Sequence, residues 1–406
     1  MSQSHTLWES EFCKSVLYKI IFVLILVRLL VSRNFLLRDI GVKFLTPTFI
    51  YLVMSLSPDR QARFSLCAFK AGAVVIFRDS SKAMVAVPCE SGDVEDFFRR
   101  YGENGISLLI PSERFGFYSQ CSNEYGVKID VSKPEKVGGI EKCLQEASYF
   151  RTIDKGENLL LLLAKMAEIL PEILISQICF EDDAGIRDFA LTQGLQILDL
   201  ESIRSAIGKQ KVSRVSEATI HLRNDIKSKM VCYRSILKEH YAIVVGDPME
   251  SEEPLVRIHS SCYTGDLLAS LSCDCRDQLH DSLIRMLDDP QGGILLYLLQ
   301  EGRGIGLVNK IRAYDLQSRK GLDTVEANLA LGFKDDERDF SIAKQMLDDL
   351  GVQKVRLITN NPRKIEQLTA AGIKITHRVP LTTRSNPHNF KYLRTKSERL
   401  GHLFTA

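Results

Sequence analysis

The sequence predicts an α/β (α+β) chain of two domains, each a mixed β-sheet flanked by helices. Three observations carry that expectation. The chain has 406 residues, more than one ordinary core accommodates. Apolar residues make up 45% and charged residues 26%, the balance of a globular protein. Short apolar runs alternate with helix-patterned stretches, then the alternation restarts after a basic, polar break, GKQKVSRVSEA (Gly208–Ala218). No internal repeat is visible.

The elements follow in order. The first 53 residues stand apart as a hydrophobic extension. SVLYKIIFVLILVRLLVS is apolar from Val16 to Val31 but carries Lys19 and Arg28. It is shorter than the roughly 20 apolar residues of a spanning helix, and no small-residue cleavage site follows closely. Two readings stand side by side: the native chain starts at Met54, or residues 16–31 anchor it or lie on a membrane. Elsewhere no membrane contact is expected.

After Met54, FKAGAVVIF (Phe69–Phe77) reads as a strand entered through Gly72, and ISLLIP (Ile106–Pro111) as another. KPEKVGG is a loop signal. KGENLLLLLAKMAEIL (Lys155–Leu170) is helical in composition and stops before Pro171. ILISQICFED is a strand and AGIRDFALTQG a helix stopped by Gly194, with LQILDLESI following. Residues 54–207 thus form the first domain and 208–406 the second. There YAIVVGD (Tyr241–Asp247) and LVRIHS (Leu255–Ser260) are strands, and DQLHDSLIRMLDD puts Leu279, Leu283, Met286 and Leu287 on one helical face. GILLYLL is a buried strand, GIGLVNKIRAYDLQSR a helix, FSIAKQMLDDLG a helix closed by Gly351, and VRLITNNPRKIEQLTAAGIKI a strand, turn, helix and strand.

Charge and cysteine usage narrow the classes. A net charge of +2 gives no clustered basic footprint, so no nucleic acid is expected. Ten cysteines lack the dense, regular spacing of a disulfide scaffold, which points to a reducing, cytoplasmic compartment. Three of them, Cys262, Cys273 and Cys275, fall within fourteen residues of SSCYTGDLLASLSCDC. Free cysteines are common core residues, so three buried thiols are the bland reading. Three thiolates around a metal with an open fourth position are the sharper one. Zinc held that way brings the pKa of bound water to about 7, the arrangement of a hydrolytic enzyme and not of a zinc finger. A nucleobase deaminase would show His-x-Glu and Pro-Cys-x-x-Cys, and neither is present.

Six blocks together resemble GTP cyclohydrolase II: RIHSSCYTGDLLASLSCDCRDQL, LLYLLQEGRGIGLVNKIRAYDLQ, DTVEANLALGF, DDERDF, RLITNNPRKIEQL and the closing GHLF. They cover roughly residues 212–404 in the family's order. The resemblance implies opening of the GTP imidazole ring with release of formate and pyrophosphate, the first committed step of riboflavin synthesis. It implies one Zn²⁺ per subunit on Cys262, Cys273 and Cys275, Mg²⁺ as a second cofactor, GTP as substrate and a homodimer. It makes Asp336 the proton acceptor and sets Arg338 against the α-phosphate. A guanidinium is a charged clamp and a poor nucleophile, so the phosphate contact is the stronger half of that role. It assigns GTP contacts to Arg257, Ile258, His259, Ser260 and Ser261, to Gln278, to Glu301, Gly302 and Arg303, and to Thr324, Thr359 and Lys364. Glu301 is expected to accept from the guanine N1 and amino donors, and Arg303 to fork onto phosphate. Tyr314 is either a pocket residue or an ordinary amphipathic tyrosine. Each has a plainer reading: a surface acid for Asp336, a solvated ion pair for Arg338, helix capping for Thr359 and Asn360. The chain departs from the family at EATIHLRNDIKSKMVCYRS, which lacks the usual entry Pro and Gly.

The first domain resembles the frame of 3,4-dihydroxy-2-butanone 4-phosphate synthase without its chemistry. RDSSKAMVAVP stands where that family has an acidic metal-binding run, DKGENLL where it has an Arg-Gly-His-Thr-Glu stretch, and residues 54–207 contain no histidine. The expectation is a catalytically inactive domain. A bifunctional enzyme is the runner-up, and a nucleotide sensor with a structural zinc the alternative of another class.

Overall fold

The computed structural model describes residues 58–381, apart from 80–81, 91, 122–123, 138–143, 145–149, 181, 202, 205–210 and 223–225, together with residue 387. The extension, with its 16–31 segment and the Met54 start, part of KPEKVGG and the closing GHLF lie outside the described residues. Val53–Ala406 forms one compact unit. No described helix is long and apolar enough to cross a membrane.

The described residues build two mixed seven-stranded sheets flanked by helices, as the alternation predicts. The N-terminal half runs α1 (Pro58–Lys70), β1 (Val75–Asp79), β2 (Lys82–Pro88), α2 (Val94–Tyr101), β3 (Ser107–Pro111), α3 (Ser112–Ser119), β4 (Gly126–Asp130), β5 (Arg151–Thr152), α4 (Lys155–Met166), β6 (Ile173–Ile178), α5 (Asp183–Gln193) and β7 (Gln196–Asp199). Its strand order is β5-β4-β3-β6-β2-β1-β7. Two boundaries differ from the sequence reading. FKAGAVVIF is not one strand: α1 continues to Lys70, Gly72 turns the chain at φ 85°, and β1 starts at Val75. Phe69 is buried from the helix side, so a β-like composition was overridden by packing. Helix α4 stops at Met166, and Glu168 adopts a left-handed φ of 60°.

The C-terminal half runs β8 (Ser213–Leu222), β9 (Ile226–Arg234), β10 (Glu239–Val245), β11 (Leu255–Ser260), α6 (Cys275–Asp288), β12 (Gly293–Leu298), α7 (Leu307–Lys320), α8 (Thr324–Ala330), α9 (Ser341–Asp349), β13 (Lys354–Ile358), α10 (Pro362–Ala370) and β14 (Lys374–Val379). Its order is β14-β13-β11-β12-β10-β9-β8. The entry that lacks Pro and Gly is an antiparallel β8–β9 pair, with β8 on the sheet edge. On α6 Met286 is buried, Leu279 and Leu283 are half-buried, and Leu287 is exposed. Ser282, not Leu287, completes the inner face.

Strands β11, β12 and β13 are mutually parallel. Val256, Ile258, Ile294, Leu296 and Leu357 share a core with Ile342, Met346 and Leu347 of α9. Each such aliphatic side chain contributes roughly 1.5–3 kcal/mol of burial. This fixes the carboxyl ends of the three strands side by side, where open α/β sheets bind ligands. The turns leaving those ends carry Cys262, Glu301 and Thr359.

Candidate functional site

Past Ser260 the chain enters a wide π-helical turn, Tyr263–Leu267, then loops back to Cys273 and the start of α6 at Cys275. The three cysteine sulfurs lie within 4.8 Å of one another, with Cys262 and Cys273 Sγ 3.7 Å apart. Gly265 makes this approach feasible: a Cβ there would stand 2.8 Å from Cys273 Sγ, 2.9 Å from Cys275 Cβ and 3.1 Å from Cys262 Sγ. Hydrogen bonds from Cys273 and Cys275, against the cost of burial, and the Lys310 ammonium hold Cys262 far below the usual thiol range. The same contact with Cys262 pushes Cys273 up. Lys310 Nζ reaches Cys262 Sγ and Thr264 Oγ1 at 3.0 Å and Glu301 Oε1 at 2.8 Å.

Behind the turn, Asp266 is a hub. Its Oδ2 accepts from Cys262 N–H at 2.9 Å and Tyr297 O–H at 2.8 Å, and both oxygens lie 3.2 Å from His259 Nε2. Burial lowers the His259 pKa while Asp266 opposes the shift, and Nε2, facing a carboxylate that can only accept, is the ring nitrogen placed to donate. Arg257 donates to Ile358 O at 3.0 Å and to Gln278 Oε1 at 2.7 Å, and Gln278 Nε2 donates to Asp274 at 2.7 Å. Burial brings the Arg257 pKa down to about 10.

The turn after β12 holds Gly302 and Arg303 at φ 60° and 62°, unusual for an arginine. Glu301 is engaged inside the protein: Tyr263 N–H donates to Oε2 at 2.5 Å and Gly302 N–H to Oε1 at 3.1 Å, beside Lys310. The guanine contact expected of Glu301 therefore requires it to give up one of these partners. Asp336 and Arg338 pair with each other, Nε to Oδ1 at 2.8 Å. Burial would raise the Asp336 carboxyl, but Arg338 holds it below the usual carboxylate range.

Of the sequence-identified residues, Arg257, His259, Ser260, Ser261, the three cysteines, Gln278, Glu301, Gly302, Arg303, Thr324, Asp336, Arg338, Thr359 and Lys364 line one cavity, as does Tyr314. Ile258 does not. Strand alternation turns its side chain into the core, 1% exposed, and only its carbonyl serves, accepting from Lys364 Nζ at 3.0 Å. Thr359 is no side-chain cap of α10: its Oγ1 accepts from Asn361 N–H at 3.1 Å, before Pro362 opens the helix. Sequence reasoning missed Lys310, Asp266, Tyr297, Asn361 and Arg363. Five buried polar atoms around the cavity, Arg257 Nε, His259 Nδ1, Ser260 Oγ, Gln317 Nε2 and Asn361 Oδ1, have no protein partner. Such atoms are costly unless a ligand or water meets them.

The profile of the family described as GTP cyclohydrolase II matches residues 213–380. A protein named GTP cyclohydrolase-2 from Haemophilus influenzae (strain PittEE) is 51% identical over 195 residues, 47% of this chain and 89% of that protein. GTP cyclohydrolase-2 from Azospirillum brasilense is 43% identical over 247 residues, 60% of this chain and 63% of that protein. A riboflavin biosynthesis protein from Synechocystis sp. is 56% identical over 178 residues, 43% of this chain and 32% of that protein. Among solved structures, a two-domain 3,4-dihydroxy-2-butanone 4-phosphate synthase from A. baumannii covers 78% of this chain and 99% of its own, at a TM-score of 0.29 and 17% identity, a likeness too slight to bear weight.

Proposed function

The chain belongs to the GTP cyclohydrolase II family, enzymes of riboflavin biosynthesis, and from that premise we propose zinc-dependent hydrolytic opening of the GTP imidazole ring. The products would be formate, pyrophosphate and 2,5-diamino-6-(5-phospho-ribosylamino)pyrimidin-4(3H)-one. The observation that carries the reading is a convergent three-cysteine cluster and the Asp336–Arg338 pair on the wall of one cavity.

The donor set suits zinc, because soft thiolates select it over hard cations. Cys262, Cys273 and Cys275 would hold it, and it would supply Lewis acidity for hydration of the ring. Mg²⁺ would arrive with the substrate, whose phosphate oxygens are the hard donors it prefers. Among the described residues the three thiols form the one group of three or more metal-competent side chains.

The chain's own residues divide the remaining work. Arg303, Arg338, Arg363 and Lys364 bring cationic charge to a cavity that must take a triphosphate. Arg257 stays ionised with a pKa of about 10 and fixes Gln278 at the base end. Asp336 is a weak base while Arg338 holds it. When Arg338 turns to the α-phosphate, Asp336 loses its counter-charge and its pKa climbs toward the range of a proton acceptor. Substrate binding thereby switches the base on.

The N-terminal half is proposed to be catalytically inactive, with limits at residues 54–207, ahead of a ring-opening domain at 208–406. Supporting this, Asp154 and Glu157 in DKGENLL close a helix capping box, and Glu157 also pairs with Lys128. A cytoplasmic homodimer completes the proposal. The exposed apolar side chains of Leu267, Leu268, Leu271, Val308 and Ile311 support a subunit contact.

The test is incubation of the purified chain with GTP, Mg²⁺ and Zn²⁺, following formate and the diaminopyrimidine, with Cys273→Ser alongside. Wild type is expected to release both and the variant neither. A wild type that binds zinc and GTP yet releases no formate refutes the reading in favour of a sensor.

A further inference from the structure

Asp336 and Arg338 sit on a loop with two faces. They line the substrate cavity, whereas Glu337 and Asp339 line a separate cleft against Leu162, Lys165 and Met166 of α4. Successive side chains thus serve opposite sides, so whatever holds Glu337 sets the aim of its two neighbours.

Glu337 is held at three points. Its N–H donates to Arg303 O at 2.9 Å, and its Oε1 accepts from Lys334 N–H at 2.9 Å and from Lys165 Nζ at 3.0 Å. Lys165 lies in the N-terminal half and pairs at 2.9 Å with Glu113 as well. Its side chain is only 8% exposed, so it cannot exchange these carboxylates for water without cost.

The neighbouring segments are fitted to the same half. Gly306 has φ 87°, and a Cβ there would meet Glu168 Cβ at 2.7 Å. Gly332 has φ 89°, and a Cβ would meet the Cγ atoms of Pro111 and Pro171 at 2.7 and 2.9 Å. Asn309 Nδ2 donates to Glu168 O at 3.0 Å, and Arg312 pairs with Glu90 at 2.8 Å. The Glu301–Gly306 turn and the Lys334–Asp339 loop are therefore both backed by the half that carries no ring-opening residue.

We propose that the N-terminal half is a positioning scaffold for the ring-opening site, and that Lys165 is its positioning residue, acting through Glu337 on Asp336 and Arg338. This rests on the ring-opening reading above. Lys165 touches neither substrate nor metal in it, so its effect belongs to the catalytic step and not to GTP capture.

The test uses the full chain with GTP. Lys165→Met is expected to lower kcat for formate release by about 10- to 100-fold, because a shift of about 1 Å in a reacting group costs on the order of 100-fold. KM for GTP stays within about threefold, the signature of a loss felt in the transition state. Lys165→Arg, which keeps the charge, restores most of the rate. Glu337→Gln frees the loop while the Lys165–Glu113 pair remains, so it decides the matter if Lys165→Met does not fold. Wild-type kcat in Glu337→Gln overturns the inference, as does a rise in KM at unchanged kcat in Lys165→Met. If the unaltered chain releases no formate, the ring-opening reading itself has failed and the scaffold falls with it. An active wild type with unaffected variants sinks the scaffold alone.

Discussion

Replacing Gly265 by alanine is the sharpest test of the proposed metal centre, because it leaves every thiol in place. The added Cβ would stand 2.8 Å from Cys273 Sγ, 2.9 Å from Cys275 Cβ and 3.1 Å from Cys262 Sγ. Comfortable non-bonded separation is about 3.5–4.0 Å, so the nearest contact must open by roughly 0.7 Å or more. The turn cannot simply retreat: Gly265 N–H donates to Cys262 Sγ at 3.4 Å, and Gly265 O accepts from Ala269 N–H at 3.1 Å. Zinc sites tolerate about 0.2 Å in ligand distance, so the displacement exceeds the tolerance several times over. We expect zinc affinity to fall by about 10- to 100-fold, the range seen when support for metal ligands is lost. Formate release should fall in step with metal loading. The assay is competition against a chromophoric chelator, with circular dichroism to verify the fold. Gly102→Ala is the control, since it sits at φ −60° with open space around its Cβ position. Wild-type zinc affinity in Gly265→Ala would refute the geometry of the three-thiol site.

Four further outcomes follow from single residues. His240 is fully buried and accepts from Leu299 N–H at Nδ1; burial, helped by Lys238 and opposed by Asp339, brings its pKa down to about 4. Its folded pKa lies below its unfolded value, so the associated stability is full above about pH 6.5 and is lost as pH falls toward 4. That amounts to about 3 kcal/mol. Urea denaturation from pH 7 to 4 should show this slope, and His240→Asn should flatten it; equal slopes would contradict the assignment. Asp336→Asn should lower kcat by about 100-fold or more while GTP still binds. Arg338→Ala should move the acidic limb of the pH–rate profile upward, because it removes the charge that holds Asp336 down; an unmoved limb argues that another group titrates there. Asp323 accepts from Val325 and Glu326 N–H and closes a capping box at the start of α8, next to Thr324. Asp323→Ala should cost about 1 kcal/mol in chemical denaturation, and no change would mean the cap is dispensable.

What could be read from the sequence was whatever has short range or a fixed period. The cysteines are close in sequence and converge through one turn and one helix start, so spacing alone announced them. The resemblance assigned the whole Arg257–Ser261 stretch to the substrate, whereas strand alternation puts Arg257 and His259 on the cavity face and turns Ile258 away from it. Lys310 escaped because a lysine four residues before Tyr314 in an amphipathic helix reads as a solvent-facing charge. Only the fold turns it against Cys262. The Lys165–Glu337 contact joins residues 172 positions apart, and nothing local to either marks it. Phe69 failed for the opposite reason, since its neighbourhood is strand-like in composition and its burial belongs to a helix.

The pairing of Asp336 with Arg338 connects these points. An acid held by an arginine two residues away is a weak base, and an arginine held by that acid offers less charge to a phosphate. In the proposed ring opening the pair is idle until a ligand separates it, and separation is useful only if both side chains then point where the chemistry needs them. An irregular loop without regular backbone pairing does not supply that aim by itself. Here the aim comes from Glu337, the residue between them, fastened on the far side to a buried lysine of the N-terminal half. The proposed inactivity of that half and its role as a support are therefore compatible. The first would turn on side chains such as those of DKGENLL, and the second needs only Lys165, Glu113 and the surfaces fitted to Gly306 and Gly332.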